Sequence, residues 1–273
     1  MCGIVGYIGD KEKKNVILSG LKELEYRGYD SAGMAVLQAQ NLSYYKEIGK
    51  LSNLATKMSD LEFSGIGAAI GHTRWATHGK PTQINAHPHL GEYSCVIHNG
   101  IIENYKELKD ELTQKGVNFI SQTDTEVIVH LFEEYNKTAK TPFEAYEKTI
   151  SRLRGAFATL LITKVAPDVV FFAKNAAPMI IAQNQDEIYF SSSDAPLIGY
   201  AKDAFYLDDG SYGYAKMGEI HVFDTRNHKE ISPNFTPLPK DKGYAQKNGF
   251  RFFMEKEIYE QSQVISECIM GRA

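Results

Sequence analysis

The 273-residue sequence has only three cysteines, Cys2, Cys95 and Cys268, and no C-x-x-C pair. An odd, sparse count builds no disulfide framework, and without paired spacing there is no thiolate zinc site or thioredoxin-type motif. That usage points to a reducing compartment, the cytoplasm. Long apolar runs are missing too. No stretch of about 18 apolar residues is available to cross a membrane. The opening CGIVGYIG is too short for a secretory signal and is followed at once by DKEKK. N-terminal acylation needs glycine at position two, where this chain has Cys2. Positive charge is not in excess: 30 Lys and Arg against 34 Asp and Glu leave a net charge of −4. That balance gives no electrostatic footprint for nucleic acid or an anionic membrane. No G-x-G-x-x-G or P-loop follows the first strand-like run, so there is no nucleotide fingerprint. Low-complexity tracts and fixed-period repeats are also absent.

What is present is a globular balance, 43% hydrophobic and 23% charged. The length suits one large domain or two of roughly 150 residues and buries a core without disulfides or metals. Apolar or β-branched runs bounded by Gly, Pro, Asn or Asp predict strands at 3–8, 33–37, 68–73, 95–99, 156–163, 169–173, 179–182, 187–191 and 219–223. Helical periodicity marks 14–26 (Ile17, Leu21, Leu24), 104–115 (Leu108, Leu112, with Asn104 as N-cap), 125–135 (Ile128, Leu131) and 142–153. Strands before, between and after two helix clusters suggest antiparallel sheets covered by helices, not βαβ alternation. Residues 233–239 (PNFTPLP) and the charged stretch to Gly249 read as an exposed connector. Residues 250–273 begin a new apolar, helical pattern, expected to open a further domain.

Cys2 follows the initiator methionine, which is normally removed before a small side chain. Removal would place the thiol beside a free α-amine of pKa ~7.7–8.0, able to accept the thiol proton. A nucleophile activated by its own chain terminus is one solution for acyl transfer. If Met1 is retained, that amine is locked in a peptide bond and the chain is an inactive precursor.

Four other segments hold groups that such chemistry needs: YRGYDSAG from Tyr26, HTRWATHG from His72, His98-Asn-Gly100, and Thr123-Asp-Thr125. Asn99 offers side-chain N–H donors and Gly100 an unobstructed backbone N–H, the parts of an oxyanion hole. Taken alone, Asn-Gly after a strand is a hairpin signal, and its local pattern favours the turn. Arg74 can grip an α-carboxylate in a bidentate pair. Asp124 can hold an ammonium, although by position it is first a helix N-cap. Thr77 and His78 can add hydrogen bonds. Trp75, the one tryptophan, would gate or cover something if exposed in a loop. Ala86-His-Pro-His89 invites a metal reading, but no H-E-x-x-H or matched Cys/His spacing supports it. His87 is expected to be structural or to support the residues that touch substrate, and no metal is expected.

Together CGIVGYIG, LEYRGYDSAG, GHTRWATHGKPTQINAHPH, HNGIIENY, TDTEVIVH, LRGAFA and MEKEIYEQ resemble the glutaminase half of the glutamine–fructose-6-phosphate aminotransferase family, over Cys2 to about Gln261. These are N-terminal-cysteine, class II amidotransferases. YRGYDSAG with HTRWATHG resembles the amino-sugar branch. The resemblance implies an α+β fold, the four-layer αββα N-terminal-nucleophile hydrolase sandwich of two antiparallel sheets between helix layers. It implies Cys2 as nucleophile with its α-amine as base, and Asn99 and Gly100 as the oxyanion hole. Arg74 and Asp124 would bind L-glutamine, with Thr77 and His78 in the substrate loop. Trp75 would gate ammonia passage, and Arg27 would order the nucleophile end. No cofactor is implied. Residues 2–240 would be the glutaminase, and 241–273 the linker and start of an isomerase domain that binds fructose 6-phosphate. The longer protein would be a homodimer. The chain departs from the family pattern at Ser262, where proline usually follows the glutamine. Two other readings stand beside this one: the glutaminase of another class II amidotransferase, and a regulatory module that keeps the fold without the chemistry.

Overall fold

The computed structural model describes residues 2–76, 79–239, 250 and 253–270. The strands run β1 Gly3–Gly9, β2 Ser31–Gln38, β3 Asn41–Ile48, β4 Gly67–Arg74, β5 His89–Leu90, β6 Ser94–Ile102, β7 Gly155–Thr163 and β8 Ala166–Asn175. They continue with β9 Ile180–Asn184, β10 Glu187–Ser191, β11 Asp203–Tyr206, β12 Ser211–Lys216, β13 Glu219–Asp224, β14 Glu230–Ile231 and β15 Thr236–Pro237. The helices are α1 Lys13–Leu24, α2 Leu51–Lys57, α3 Tyr105–Gln114, α4 Glu126–Asn136, α5 Pro142–Arg152 and α6 Phe253–Met270. Contacts divide the chain into two units, Met1–Leu238 and Pro239–Ala273; α6 lies in the second. No described helix is long and apolar enough to cross a membrane.

In the first unit the strands form two sheets. One has the order β15-β11-β9-β10-β1-β4-β2-β3, the other β14-β13-β12-β8-β7-β6-β5. Every ladder between these strands is antiparallel. Three apolar clusters define the layers. Ile4, Ile8, Ile70, Ile97, Leu160 and Phe172 pack between the sheets. Val5, Tyr7, Ile17, Leu21 and Leu54 join the first sheet to α1 and α2. Val96, Leu161, Phe132, Tyr146 and Leu112 join the second sheet to α3, α4 and α5. The result is the helix–sheet–sheet–helix sandwich that the resemblance implies.

Strands buried on both faces explain why β1 and β4 read as continuous apolar runs rather than alternating ones: every residue of each is buried. Their glycines let α1 come close. A Cβ on Gly3 would lie 2.7 Å from both Leu24 Cβ and Thr73 Oγ1, and one on Gly71 would lie 2.3 Å from Ile17.

All nine expected strands form, and their ends shift by a few residues. The strands that periodicity passed over include β3 and β12, which are rich in tyrosine and polar residues. The N-cap expectations change in detail. Asn104 does sit at the N-cap of α3, but its side chain caps nothing; it donates to Arg152 O and accepts from Arg154 N–H. Asp124 is not the N-cap of α4; Thr125 is.

Candidate active site

Register places the reactive end. β1 lies between β10 and β4, and Gly3 pairs with Thr73. Cys2 therefore sits at the end of a central strand, beside Arg74. β6 of the other sheet brings Asn99 to the same end. The Cys2 thiol is held by the main chain of Trp75: the Trp75 N–H donates to Sγ at 3.2 Å, and Sγ lies 3.6 Å from the Trp75 carbonyl. Burial pushes the Cys2 thiol above its ordinary pKa, while the Trp75 N–H and the Arg74 charge pull it down. A thiol so placed stays protonated at neutral pH and needs a base to react.

Asn99 donates from Nδ2 to the Cys2 carbonyl at 3.1 Å. An amide NH₂ has a second proton, which this bond does not use. The hairpin reading of Asn99-Gly100 is corrected here. The pair lies inside β6, and its ladder with β7 runs unbroken from Ser94↔Thr163 to Ile102↔Gly155. Gly100 keeps glycine for a different reason: its φ is +125°, and a Cβ would lie 1.9 Å from the Ala156 carbonyl oxygen. Gly100→Ala is expected to lower unfolding stability by ~2 kcal/mol or more in urea titration. Gly116→Ala tests strain alone, because φ is +87° there with nothing within 4 Å; its loss should be only about 1 kcal/mol.

Arg74 is buried and reaches the carbonyls of Gly79 at 3.2 Å and Lys80 at 3.4 Å. Burial lowers its pKa, and the Cys2, Asp124 and Asp30 charges oppose that. Asp124, also buried, accepts from the Ile102 N–H at 2.7 Å, which ties the start of α4 to the end of β6. Cys2, Arg74, Trp75, His87, His98, Gly100, Thr123, Asp124 and Thr125 line one cavity of about 30 Å³. That is room for a water or two. Larger cavities of about 320 and 510 Å³ lie elsewhere, but neither contains a nucleophile with facing donors.

Trp75 is 45% exposed, with its ring 5.6 Å from that of Tyr29. Arg27 donates to the Ser192 carbonyl at 3.2 Å and to Tyr26 Oη; neither contact reaches Cys2. Thr77 and His78 lie outside the described residues.

Two contributors escape a residue-by-residue reading. Asp30, in the YRGYDSAG turn, accepts from the Ala76 N–H at 2.8 Å, and its own N–H donates to Arg74 O, so it fixes the backbone around Trp75. Thr125 Oγ1 bridges His87 Nε2 at 3.1 Å and His98 Nδ1 at 2.9 Å. Thr123 Oγ1 meets His89 Nε2 at 3.0 Å. These side-chain pairings use the histidines as hydrogen-bonded packing, and among the described residues no three His, Cys, Asp or Glu side chains are set to hold a metal ion.

A family model described as "Glutamine amidotransferase domain" matches residues 74–198. The chain is 66% identical, over all 273 residues, to a "Glutamine--fructose-6-phosphate aminotransferase [isomerizing]" of Campylobacter jejuni subsp. jejuni, and covers 45% of it. It is 48% identical over 272 residues to a protein of the same name from Helicobacter pylori, again covering 100% of the chain and 45% of the relative. The chain thus spans about half the length of the curated relatives it matches. Among solved structures it is similar to "Structure of the allosteric regulatory enzyme of purine biosynthesis", with TM-score 0.71 and 25% identity, over 82% of this chain and 49% of that one.

Proposed function

Because the chain belongs to the class II, N-terminal-nucleophile glutamine amidotransferases, in the glutamine–fructose-6-phosphate aminotransferase branch, we propose that it hydrolyses L-glutamine through a thioester on Cys2. The ammonia would serve glucosamine-6-phosphate synthesis from fructose 6-phosphate in a longer, homodimeric cytoplasmic protein. In this reading residues 2–240 are the glutaminase, and 241–273 link it to the sugar-phosphate isomerase domain. The observation that carries the reading is that Cys2, Gly100, Arg74 and Asp124 line one cavity while the Asn99 amide reaches the Cys2 backbone.

The chemistry follows from that arrangement. With Met1 removed, the Cys2 α-amine takes the thiol proton. Sγ attacks the side-chain carbonyl carbon of glutamine, forming a C–S bond and a tetrahedral oxyanion. Asn99 Nδ2–H and the Gly100 N–H donate to that oxygen, a contribution of about 10²–10³ in rate for one such donor. Collapse breaks the C–N bond, and the ammonium form of the α-amine returns its proton to the leaving nitrogen. Water then attacks the thioester, giving glutamate and the free thiol. Arg74 takes the substrate's α-carboxylate and Asp124 its α-ammonium, which excludes amides lacking both charges. Thr77 and His78 complete the substrate loop, Trp75 governs ammonia exit, and Arg27 orders the nucleophile end through its turn. No cofactor takes part.

Arg74→Lys removes the planar fork but keeps the charge. It should raise KM for glutamine about 10- to 100-fold, the worth of a charged hydrogen bond or two, with kcat changed far less; steady-state glutamate release measures both. The reading itself is tested by labelling with a glutamine-shaped chloromethyl ketone. Labelling should fall on Cys2, be prevented by L-glutamine, and abolish ammonia release. Unprotected labelling, or ammonia release that survives it, would overturn the assignment.

A further inference from the structure

An oxyanion hole made from an asparagine side chain has a weakness. The amide can rotate by half a turn and present its oxygen, an acceptor, where a donor is needed. Something must set the amide's direction, and in this chain a residue of the opposite sheet is placed to do so. His72 lies in the middle of the β1–β4–β2 pairing, opposite Ile4 on one side and Gly33 on the other. It is fully buried. Its Nε2 lies 3.0 Å from Asn99 Oδ1 across the gap between the two sheets, while Asn99 Nδ2 faces the Cys2 carbonyl at 3.1 Å.

We propose that His72 is a positioning residue for the glutaminase reaction, its Nε2–H donating to Asn99 Oδ1 and so fixing the amide with its N–H donors toward the oxyanion. The proposal rests on the reading of Asn99 given above. The two contacts are mutually exclusive with the flipped amide. Flipping would set the Asn99 NH₂ against the Nε2–H, donor to donor, and Oδ1 against the Cys2 carbonyl, acceptor to acceptor. Both polar groups are buried, where mismatches of this kind cost most. The tautomer follows from the same pair, because Oδ1 accepts only and Nε2 must therefore hold the proton. His72 Nδ1 has no hydrogen-bond partner among the described residues, and the other acceptor near the ring is the His98 backbone. The His87 ring packs against it at a tilt of 40°, with centroids 4.0 Å apart. His72 touches neither Sγ nor the substrate-facing Arg74 and Asp124 in any described contact; it acts through Asn99.

The test compares three chains: wild type, His72→Leu and His72→Gln, whose Nε2–H₂ lies near the position of the imidazole Nε2–H. Three quantities are read: kcat for glutamate release, Kd for glutamate, and the rate of Cys2 alkylation by iodoacetamide. Alkylation needs the thiol but no oxyanion hole. His72→Leu should lower kcat roughly 100-fold, the loss of one oxyanion donor, with Kd and alkylation within about threefold of wild type, and His72→Gln should recover most of the lost kcat. Equal losses in both variants, or losses that extend to Kd and alkylation, would assign His72 a packing role and overturn the proposal, as would an unchanged kcat in His72→Leu. If His72→Leu does not fold, His72→Gln against His72→Met decides the same point. Should wild-type activity prove insensitive to alkylation of Cys2, the reading of the site fails, an outcome separable from failure of the His72 role alone.

Discussion

Acidification from pH 7 to about 5 is expected to unfold the chain, because its core holds histidines that cannot take up protons where they lie. His72, His87, His89 and His98 are all buried. Burial pushes His72 down to about 3 and puts His87 and His89 well below the ordinary imidazole value; His98 is shifted the same way. Below pH ~6.5 the unfolded chain binds these protons and the folded chain does not, so stability falls as pH falls. Each histidine that stays neutral while folded steepens the fall by up to about 1.4 kcal/mol per pH unit, so the four together act on the scale of the roughly 5–15 kcal/mol total of a typical domain. Glu126 adds to the loss at lower pH. Burial favours its neutral form, but hydrogen bonds from His130, Ser121 and the Ile120 and Ser121 amides outweigh this and hold it at about 2. Its contribution is present above about 4.3 and disappears as pH falls toward 2. Urea titrations at several pH values measure the slope. Replacing His87 and His89 together by glutamine should flatten it by about half, and a wild-type stability independent of pH between 7 and 5 would contradict this account of the cluster.

Cys2→Ala should remove glutamate release altogether, a loss on the order of 10⁴-fold or more, as expected when a residue acts as nucleophile. The side chain stands at a strand end, and its described hydrogen bonds are with the Trp75 main chain, so the variant should keep its melting temperature within a few degrees and still bind glutamate. In the active chain the same logic sets the pH dependence. The thiol is raised by burial, so the reaction needs a neutral base. The α-amine supplies one only above its pKa of ~7.7–8.0. Within the range where the chain stays folded, kcat/KM should therefore rise nearly tenfold per pH unit below that value and level off above it. Persistent hydrolysis by Cys2→Ala would remove Cys2 from the mechanism.

The fold was legible where burial is two-sided. β1, β4 and β7 are runs that no solvent-facing residue interrupts, and they read as strands at once, as does the buried Val170–Ala173 stretch of β8. β3 hides because its burial is partial throughout, and SYGYAK of β12 hides because tyrosine and glycine carry little periodic signal. β5, β14 and β15 are two residues long, formed by what lies beside them rather than by their own sequence. The site divides the same way. Cys2, Arg74 and Asp124 could be named from their chemistry and from the family resemblance. Asn99-Gly100 misled as a turn because the local signal for a hairpin is the same pair of residues; only the facing strand Gly155–Thr163 keeps it extended. The histidine cluster was not legible at all. His72, His87, His89 and His98 come from β4, a loop, β5 and β6, and nothing in their spacing says that stacking two sheets brings them together.

The central claim is that the N-terminal thiol of Cys2 cleaves glutamine, and intact mass recorded on the same sample as glutamate release tests it most directly. Release should come from a species lighter than the full sequence by one methionine and should be absent from any fraction that retains Met1. Undiminished release by the Met1-containing species, or none from a folded species that lacks Met1, would contradict it.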